Sequence, residues 1–363
     1  AGNDAQGDEP AVPVGIAVGL GKVRAADGCL VQDNVLLGPM IAVTLSKVEA
    51  VVVHGNLMAA SAGGVLAVAT DGLRVLGNTI RAPGLGMMVV AGADTVLEGN
   101  AVNGSNRHAI LAFTTATSLP AGQLRIAGNT LHHCGAGMDS ASAIQVLLAD
   151  PDDKDGASVI GADLVLEHNL VADAGVAPDG KTRAKLTEAV TLAAPRVTAH
   201  GNDIRWDRPL DNADGRKLLA EEGGKPNRAL VVTPLPAAGL VLGIEGAPAA
   251  AAVLTANRIR GFAADTLVEL RDGADQGKTR FLAVSLGDNA VEHWGPFDMP
   301  GAATGTVVLR ADPRATVAVA GNVIRGPGRR PSVAVDGPRQ VAFAGNATTG
   351  PLVGATGQVN VTV

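Results

Sequence analysis

A short phrase centred on asparagine recurs along the chain and limits its fold more than any other feature. The phrase has the form apolar-x-apolar-x-(Gly)-Asn-x-apolar, as in RVLGNTI and VLEGNAV. Its first three intervals are 22 residues, and later intervals lengthen to as many as 55. A fixed unit with loops inserted into it is typical of a solenoid. The phrase occurs at Asn34, Asn56, Asn78, Asn100, Asn129, Asn169, Asn202, Asn257, Asn289, Asn322 and Asn346.

Each repeat contains three short apolar runs. One run follows the asparagine, a second lies in mid-unit, as in MMVVAG at 87–92, and the third leads into the next asparagine. The runs are rich in β-branched residues and are bounded by Gly, Pro, Asp and Asn, which indicates strands. No helical period competes over a long window. Three strands within 22 residues predict one coil of a parallel solenoid, with each strand stacked ~4.8 Å from its counterpart.

The asparagine suits a sharp corner between two strands. Asparagine and glycine tolerate the left-handed backbone region best, and a corner needs a residue that does. The asparagine amide also carries both a donor and an acceptor, so stacked copies can bond one coil to the next. We therefore expect a buried ladder of asparagines along the solenoid.

The pattern resembles the right-handed parallel β-helix superfamily of pectate lyases, polygalacturonases, mannuronan epimerases and phage tailspikes. The resemblance covers residues 14–363 as a single domain and leaves residues 1–13 as an N-terminal extension. It implies an all-β, right-handed parallel β-helix of about 11–13 coils. The 55-residue unit leaves open an additional coil near 239–244. Because the superfamily contains enzymes, adhesins and inert spacers, the resemblance implies a fold and not an activity.

Composition excludes several classes of protein. Apolar residues make up 47% of the 363 residues, so the chain can bury a core, but aromatic residues are only 2%. The net charge of −6 argues against a nucleic-acid partner. No apolar stretch of about 18 residues predicts a membrane span. The first residues lack a signal-peptide pattern, so we expect a cytosolic chain, a mature chain or an excised piece.

By the same resemblance, the outer surface of the mid-unit sheet is the usual binding groove, and loops wall it on two sides. One wall, before the mid-unit strand, contains the long loops 173–187, 205–228 and 293–305. The other wall, after that strand, contains 114–122, 149–162, 234–251 and 271–280.

The first wall gathers both tryptophans of the chain with many charged residues. Tryptophan offers a flat apolar face, and arginine and aspartate offer charge-assisted hydrogen bonds, which together predict a ligand-binding patch. The alternative is that the tryptophan rings only pin long loops to the solenoid. The candidate patch contains Trp206, Asp207, Arg208, Asp211, Arg216, Lys217, His293, Trp294 and Asp298.

The floor of the groove follows from strand alternation. Ile110, Ile144, Val190, Leu230, Val268, Val307 and Val333 are predicted to point inward. Their neighbours are then predicted to point outward, including Leu111, Leu147, Val231, Ala109, Ala143, Ala189, Ala229, Leu267 and Ser332. Such an apolar surface needs cover from loops or from another chain.

The predicted floor offers few catalytic groups. Only Glu269, Arg271 and Arg310 carry charge there, and they form no spaced pair of carboxylates. The chain also has no Tyr, which removes a common acid or base. Glu269 and Arg271 are therefore the only catalytic candidates.

Three local motifs favour structural interpretations. DPDDKDG at 150–156 faintly resembles an epimerase signature and a calcium loop, but its spacing fails and a solvated turn is favoured. HHC at 132–134, near Asp139, has metal-ligand residue types, yet it predicts a corner with Cys134 tucked inward. Arg81, Arg205, Arg260 and Arg325 predict a solvated basic stripe along the third sheet. No metal or cofactor is expected.

The sequence favours a non-catalytic structural or ligand-presenting module of a bacterial surface, secreted or phage-tail-like assembly. The alternative is a carbohydrate-active enzyme (a polysaccharide lyase, hydrolase or epimerase) that acts on an acidic glycan. The expected partners are a polysaccharide and a protein or second copy that covers the apolar sheet or the solenoid ends. Cys29 and Cys134 lie four coils apart, about 19 Å along the axis, and are predicted to be free thiols.

Overall fold

A computed structural model shows the chain as a right-handed parallel β-helix. It describes residues 13–19, 28–82, 84–90, 93–113, 122–137, 140–148, 162–179, 184, 186–206, 228–235, 250–261, 266–273, 280–294, 305–326, 331–338, 340–354 and 358–362. Every regular element in these ranges is a strand, and no helix there could span a bilayer. The predicted fold class is confirmed.

The mid-unit strands form the first sheet, in which each strand pairs in parallel with the strand one coil further on. Met87 of one coil, for example, lies in register with Ile110 of the next. Along the chain this sheet contains β1 (Val14–Val18), β4 (Ile41–Ser46), β7 (Gly63–Val68), β10 (Leu85–Val90), β13 (Ile110–Phe113), β17 (Ile144–Leu147), β20 (Leu186–Ala194), β23 (Arg228–Pro234), β26 (Val268–Leu270), β29 (Val307–Ala320), β31 (Val333–Asp336) and β34 (Leu352–Val353). The short β16 (Ser140–Ala141) pairs beside it with β20.

The strands that lead into the asparagines form the second sheet, and strand β29 runs through both the first and the second sheets. The second sheet contains β2 (Leu30–Gln32), β5 (Val52–His54), β8 (Arg74–Leu76), β11 (Thr95–Glu98), β14 (Gly122–Ala127), β18 (Ala162–Glu167), β21 (Arg196–His200), β24 (Ala251–Thr255), β27 (Phe281–Gly287), the later part of β29, β32 (Gln340–Ala344) and β35 (Gln358–Thr362).

The strands that follow the asparagines form the third sheet, of which 11 strands lie in the described part of the chain. These are β3 (Val35–Leu37), β6 (Leu57–Ala59), β9 (Thr79–Arg81), β12 (Ala101–Asn103), β15 (Thr130–His132), β19 (Leu170–Ala172), β22 (Asp203–Arg205), β25 (Arg258–Gly261), β28 (Ala290–His293), β30 (Val323–Arg325) and β33 (Ala347–Thr348).

The asparagine ladder is present in the predicted positions. The Asn78 side-chain amide donates to the Asn100 side-chain oxygen at 2.9 Å and to the Val53 carbonyl at 2.9 Å. Its own oxygen accepts from the Asn56 backbone N–H at 2.9 Å. The buried corner is therefore satisfied by side chains of neighbouring coils.

One detail of the corner differs from the prediction. The left-handed conformation belongs to the residue before the asparagine, such as Gly77 with a φ of 58°. Asp33, Ala256 and Asp288 adopt it at the same place in other coils, with φ of 53–54°. The asparagine itself is free to aim its amide along the axis because its neighbour makes the turn.

The ladder also determines the coil count of the 55-residue unit. The Asn202 amide donates directly to the Asn257 side-chain oxygen at 2.9 Å. Strand β21 pairs with β24 on the same step. The unit is therefore a single step of the ladder, and residues 239–244 lie outside the described residues.

The core is a thin column of aliphatic side chains inside the coils. Every side chain predicted to point inward from the first sheet is buried to 1% exposure or less. The largest fully buried rings are Phe281 and Phe343. A narrow interior explains how a chain with few aromatic residues fills its core.

Part of the predicted outward set is wrong. Ala109, Ala143, Ala189, Ala229, Leu267 and Ser332 are all buried to 1% or less. Ala109, Ala143, Leu267 and Ser332 directly precede their strands, whereas Ala189 and Ala229 lie within β20 and β23. Simple alternation therefore does not describe this position, which is buried in each of these coils. Of the three apolar residues expected to need cover, Val231 is fully buried, whereas Leu111 and Leu147 are half-buried.

No disulfide joins Cys29 and Cys134, as predicted. Cys134 is 1% exposed, and its Sγ donates to the His132 carbonyl at 3.2 Å. Burial raises the pKa of the Cys134 thiol to about 11. The HHC corner therefore has the predicted inward cysteine.

Replacement of a central ladder asparagine should destabilise the fold. Asn100→Leu removes the donor to the Val75 carbonyl and the acceptor for the Asn78 backbone N–H. We expect a loss of about 1–3 kcal/mol in the free energy of unfolding. Urea denaturation followed by circular dichroism measures it, with Asn103→Leu on the exposed side of the third sheet as control. Equal stability of the two variants would contradict a structural ladder.

Candidate functional site

The outer surface of the first sheet changes character along the solenoid. One outward column, followed by strand register from Thr44, runs through Leu66, Met88 and Leu111 and becomes polar at Gln145. It continues through Thr191 and Val231 and reaches a charge at Glu269. The column is therefore apolar in its early coils, carries a charge at Glu269, and returns to apolar residues at Val308 and Ala334.

Glu269 is the centre of the charged part, and three arginines contact it. Arg310 Nη1 lies 2.5 Å from Glu269 Oε1. The Nε atoms of Arg228 and Arg271 lie 2.8 and 2.9 Å from Glu269 Oε2. The Glu269 side chain is only 7% exposed, so its charge is held by these partners and little by water.

A second carboxylate, Glu188, shares two of these arginines. Arg271 contacts Glu188 through Nη2, and Arg228 Nη1 lies 3.5 Å from Glu188 Oε1. Glu188 and Arg228 occupy paired positions on adjacent strands β20 and β23. The network of Glu188, Arg228, Glu269, Arg271 and Arg310 therefore spans coils that are far apart in sequence, and we call it the arginine–glutamate network.

The sequence predicted three members of this network and missed two. Glu269, Arg271 and Arg310 were named, and they do lie together. Glu188 and Arg228 were missed, although each precedes an inward apolar residue by two positions. Opposite charges at matching positions of successive repeats were the signal that could have found them.

The network keeps the Glu269 carboxylate charged. Burial alone would raise the pKa of Glu269, but the bond from Arg310 and the charges of Arg228 and Arg271 outweigh it and hold that pKa below its usual value. Burial disfavours the Arg271 cation, yet its bonds to Glu188 and Glu269 raise its pKa. The described members of the network are three arginines and two glutamates.

A row of hydrogen-bonded polar groups continues from the network toward the earlier coils. Thr191 Oγ1 donates to Glu188 Oε2 at 3.3 Å, and the hydroxyls of Ser142 and Thr191 are 3.2 Å apart. His108 Nδ1 lies 2.8 Å from the Ser142 carbonyl. Burial lowers the pKa of His108, so this histidine is neutral near pH 7.

The ion pairs keep Glu269 ionised, so the network does not supply a carboxyl group ready to donate a proton. General acid catalysis by a carboxyl group requires a raised pKa, and pairs of catalytic carboxyls work because their environments separate their pKa values. Glu269 has a lowered pKa and contacts with three guanidinium groups. The contacts of Glu269 are those of an ionised carboxylate held by guanidinium groups.

The structure describes only part of the first wall of the groove, which contains both tryptophans. The Trp206 ring packs on Gly261 and against the core, and its Nε1–H donates to the Ala174 carbonyl at 3.0 Å. The Trp294 backbone N–H donates to the Gly261 carbonyl at 2.8 Å, and His293 is buried. Trp206 thus has the contacts of a ring that pins its loop. Asp207, Arg208, Asp211, Arg216, Lys217 and Asp298 lie outside the described residues.

The remaining motifs give no second site. Arg205 of the basic stripe pairs with Asp203 at 3.0 Å, whereas Arg81 and Arg325 are exposed. Residues 150–156 and Asp139 lie outside the described part of the chain. Within the described part, no group of three His, Cys, Asp or Glu side chains is placed to share a metal ion.

Comparisons of the chain with protein-family models, with curated proteins and with solved structures gave no match. The class of this protein is therefore defined by its fold, a right-handed parallel β-helix with an asparagine ladder. Its function has to be argued from the described surface.

Neutralising Glu269 should destabilise the protein. Glu269→Gln leaves Arg228, Arg271 and Arg310 facing each other around a neutral amide. We expect a loss of about 1–3 kcal/mol, below the 3–5 kcal/mol of a fully buried pair, because the arginines keep some contact with water. Denaturant unfolding measures the change, with exposed Glu292→Gln on the third sheet as control.

The pH dependence distinguishes a charge effect from a packing effect. The folded-state pKa of Glu269 is below its ordinary value of 4.5. Its stabilisation is therefore complete above that value and is lost as the pH falls through the folded pKa. The stability difference between the wild type and Glu269→Gln should shrink on acidification. A difference that stays constant would contradict the role of the charge.

Replacement of Gly261 by a larger residue should displace the Trp206 ring. A Cβ at Gly261 would lie 2.1 Å from Trp206 Cε3, so Gly261→Ala must displace the ring from the Ala174 carbonyl. We expect a red-shifted Trp206 emission, measured in a Trp294→Phe background, and about 1–3 kcal/mol of lost stability. Gly287→Ala, where a Cβ meets only ordinary contacts, is the control. An unshifted spectrum would contradict the pinning role.

Proposed function

We propose that this β-helix is a non-catalytic structural or ligand-presenting module. The observation that carries the proposal is the arginine–glutamate network, in which the candidate catalytic residue Glu269 is fully engaged by three arginines. A carboxylate in this state is a poor proton donor and a weak base. The ion pairs of the same network also hold its side chains in place, so the surface is both rigid and charged.

The ligand that suits this surface is an acidic polysaccharide. Guanidinium groups bind carboxylates and sulfates in a bidentate geometry, and the described network holds three guanidinium groups at the surface of the first sheet. Arg271 and Arg310 are the most accessible members, at 31% and 28% exposure. An extended chain of anionic sugars could follow the first sheet and contact them in successive coils.

The setting we propose is a larger bacterial surface, secreted or phage-tail-like assembly. Eleven stacked rungs form a rod about 50 Å long at the usual strand spacing. The terminal strands of such a stack offer backbone groups that another chain or a second copy can cover. This setting rests on the fold class alone.

The competing function is a carbohydrate-active enzyme that uses Glu269 and Arg271 on an acidic glycan. The observation in its favour is that both residues lie on the surface where glycan-active β-helices bind their substrates. The two proposals differ in one measurable respect, which is turnover of the bound polymer.

A binding assay combined with a product assay tests the proposal. The purified chain is titrated with polygalacturonate, alginate and a neutral glucan, and each mixture is assayed for new reducing ends, for unsaturated products and for changes in uronate epimer content. We expect salt-sensitive binding of an acidic polymer, weakened in Arg310→Gln, with no product in any assay. Arg325→Gln, which removes an exposed arginine of the third sheet, is the matched control.

Product formation that Glu269→Gln abolishes would overturn the non-catalytic assignment and support the enzyme. Binding that is equal for the neutral and acidic polymers, or equal in the two arginine variants, would remove the polysaccharide surface from the proposal. The module would then be a structural rod.

A further inference from the structure

The early coils of the first sheet contain an apolar groove that is separate from the arginine–glutamate network. Its volume is about 210 Å³. It is lined by Ile41, Ala62, Gly63, Val65, Leu66, Gly84, Leu85, Met88 and Arg107. Arg107 is the only charged residue of the lining.

The groove exists because one side chain is absent from a stacked column. Gly63 pairs with Ile41 on one side and with Leu85 on the other, so three outward positions carry two large side chains with a gap between them. Leu66 and Met88 of the neighbouring column form the second wall of that gap.

The fold does not require glycine at position 63. A Cβ built there meets only ordinary contacts, with the nearest atom, Ile41 Cγ1, at 3.8 Å, and Gly63 does not have a positive φ. Gly84 is different, because a Cβ there would lie 1.9 Å from the Ala62 carbonyl oxygen. Gly63 is the first residue of β7, where neither a positive φ nor a close backbone approach calls for glycine. The gap over Gly63 is therefore space that the fold leaves open.

A positively charged residue, Arg107, lies at one end of this gap. The Arg107 backbone N–H donates to the Gly84 carbonyl at 3.0 Å, which places Arg107 one coil beyond Gly84 and two coils, about 10 Å, beyond the level of Gly63. The Arg107 side chain is exposed and forms no ion pair with any described residue. Its neighbour His108 is buried, and burial lowers its pKa, so it adds no charge near pH 7.

We propose that this groove binds a single-chain acyl anion of medium length. The hydrocarbon chain would fill the gap over Gly63 between the two apolar walls, and the carboxylate would meet the Arg107 guanidinium. The volume is below the roughly 300 Å³ at which drug-sized sites begin, which favours one flexible chain over a fused ring system. This site is independent of the proposed polysaccharide surface.

Calorimetric titration with hexanoate, octanoate and decanoate, each below its micelle concentration, tests the proposal. We expect saturable binding of one molecule per chain that tightens about fourfold per added methylene. Octan-1-ol, which lacks the charge, should bind at least fivefold more weakly than octanoate. Arg107→Gln should remove that preference and leave binding of the alcohol unchanged.

The decisive variant fills the gap. Gly63→Val should weaken octanoate binding at least tenfold while the thermal unfolding transition stays cooperative. Gly287→Val, a matched replacement in the second sheet with ordinary contacts at its Cβ, should bind as the wild type does. Absence of saturable binding to the wild type would overturn the proposal, and this is the result expected if another segment of the chain occupies the groove. Unchanged affinity in Gly63→Val would overturn it equally.

Discussion

The buried side-chain amide of asparagine is the interaction on which this structure depends. A parallel solenoid has to turn a corner in every coil, and each corner leaves backbone donors and acceptors out of reach of water. The Asn78 amide satisfies groups of the coil before and the coil after in a single residue. Because each asparagine bonds to the asparagine of the next coil, the ladder aligns the coils and sets the register of all three sheets.

That register explains how loops of very different length are tolerated. The step from Asn202 to Asn257 covers 55 residues, yet the two amides meet at the same distance as amides 22 residues apart. The cost of closing a loop grows slowly with its length, whereas a broken rung leaves unpaired buried groups. Long loops can therefore vary on the walls while the floor of the first sheet stays in place.

The repeat predicted the fold because its signal is local and is used eleven times. The inward column from Ile110 to Val333 followed from alternation within each strand. The pairing of Glu188 with Arg228 did not, because it needs the alignment of two strands separated by a long loop. The packing of the Trp206 ring on Gly261 could not be predicted either. The sequence does not distinguish a glycine that contacts a ring of another coil from any other glycine. Local chemistry was predictable, and contacts between coils were predictable only where the repeat itself supplied the register.

The ladder also gives the rod a direction. In all ten steps, from Asn34 to Asn346, the amide N–H of one asparagine points toward the oxygen of the next asparagine along the chain. Bonds aligned in one sense polarise each other, so the column has a partial negative charge at the Asn34 end and a partial positive charge at the Asn346 end. Two such rods are electrostatically matched head to tail and mismatched head to head. A filament of these modules would therefore be polar, and its direction would be set mainly by the buried side chains from Asn56 to Asn322.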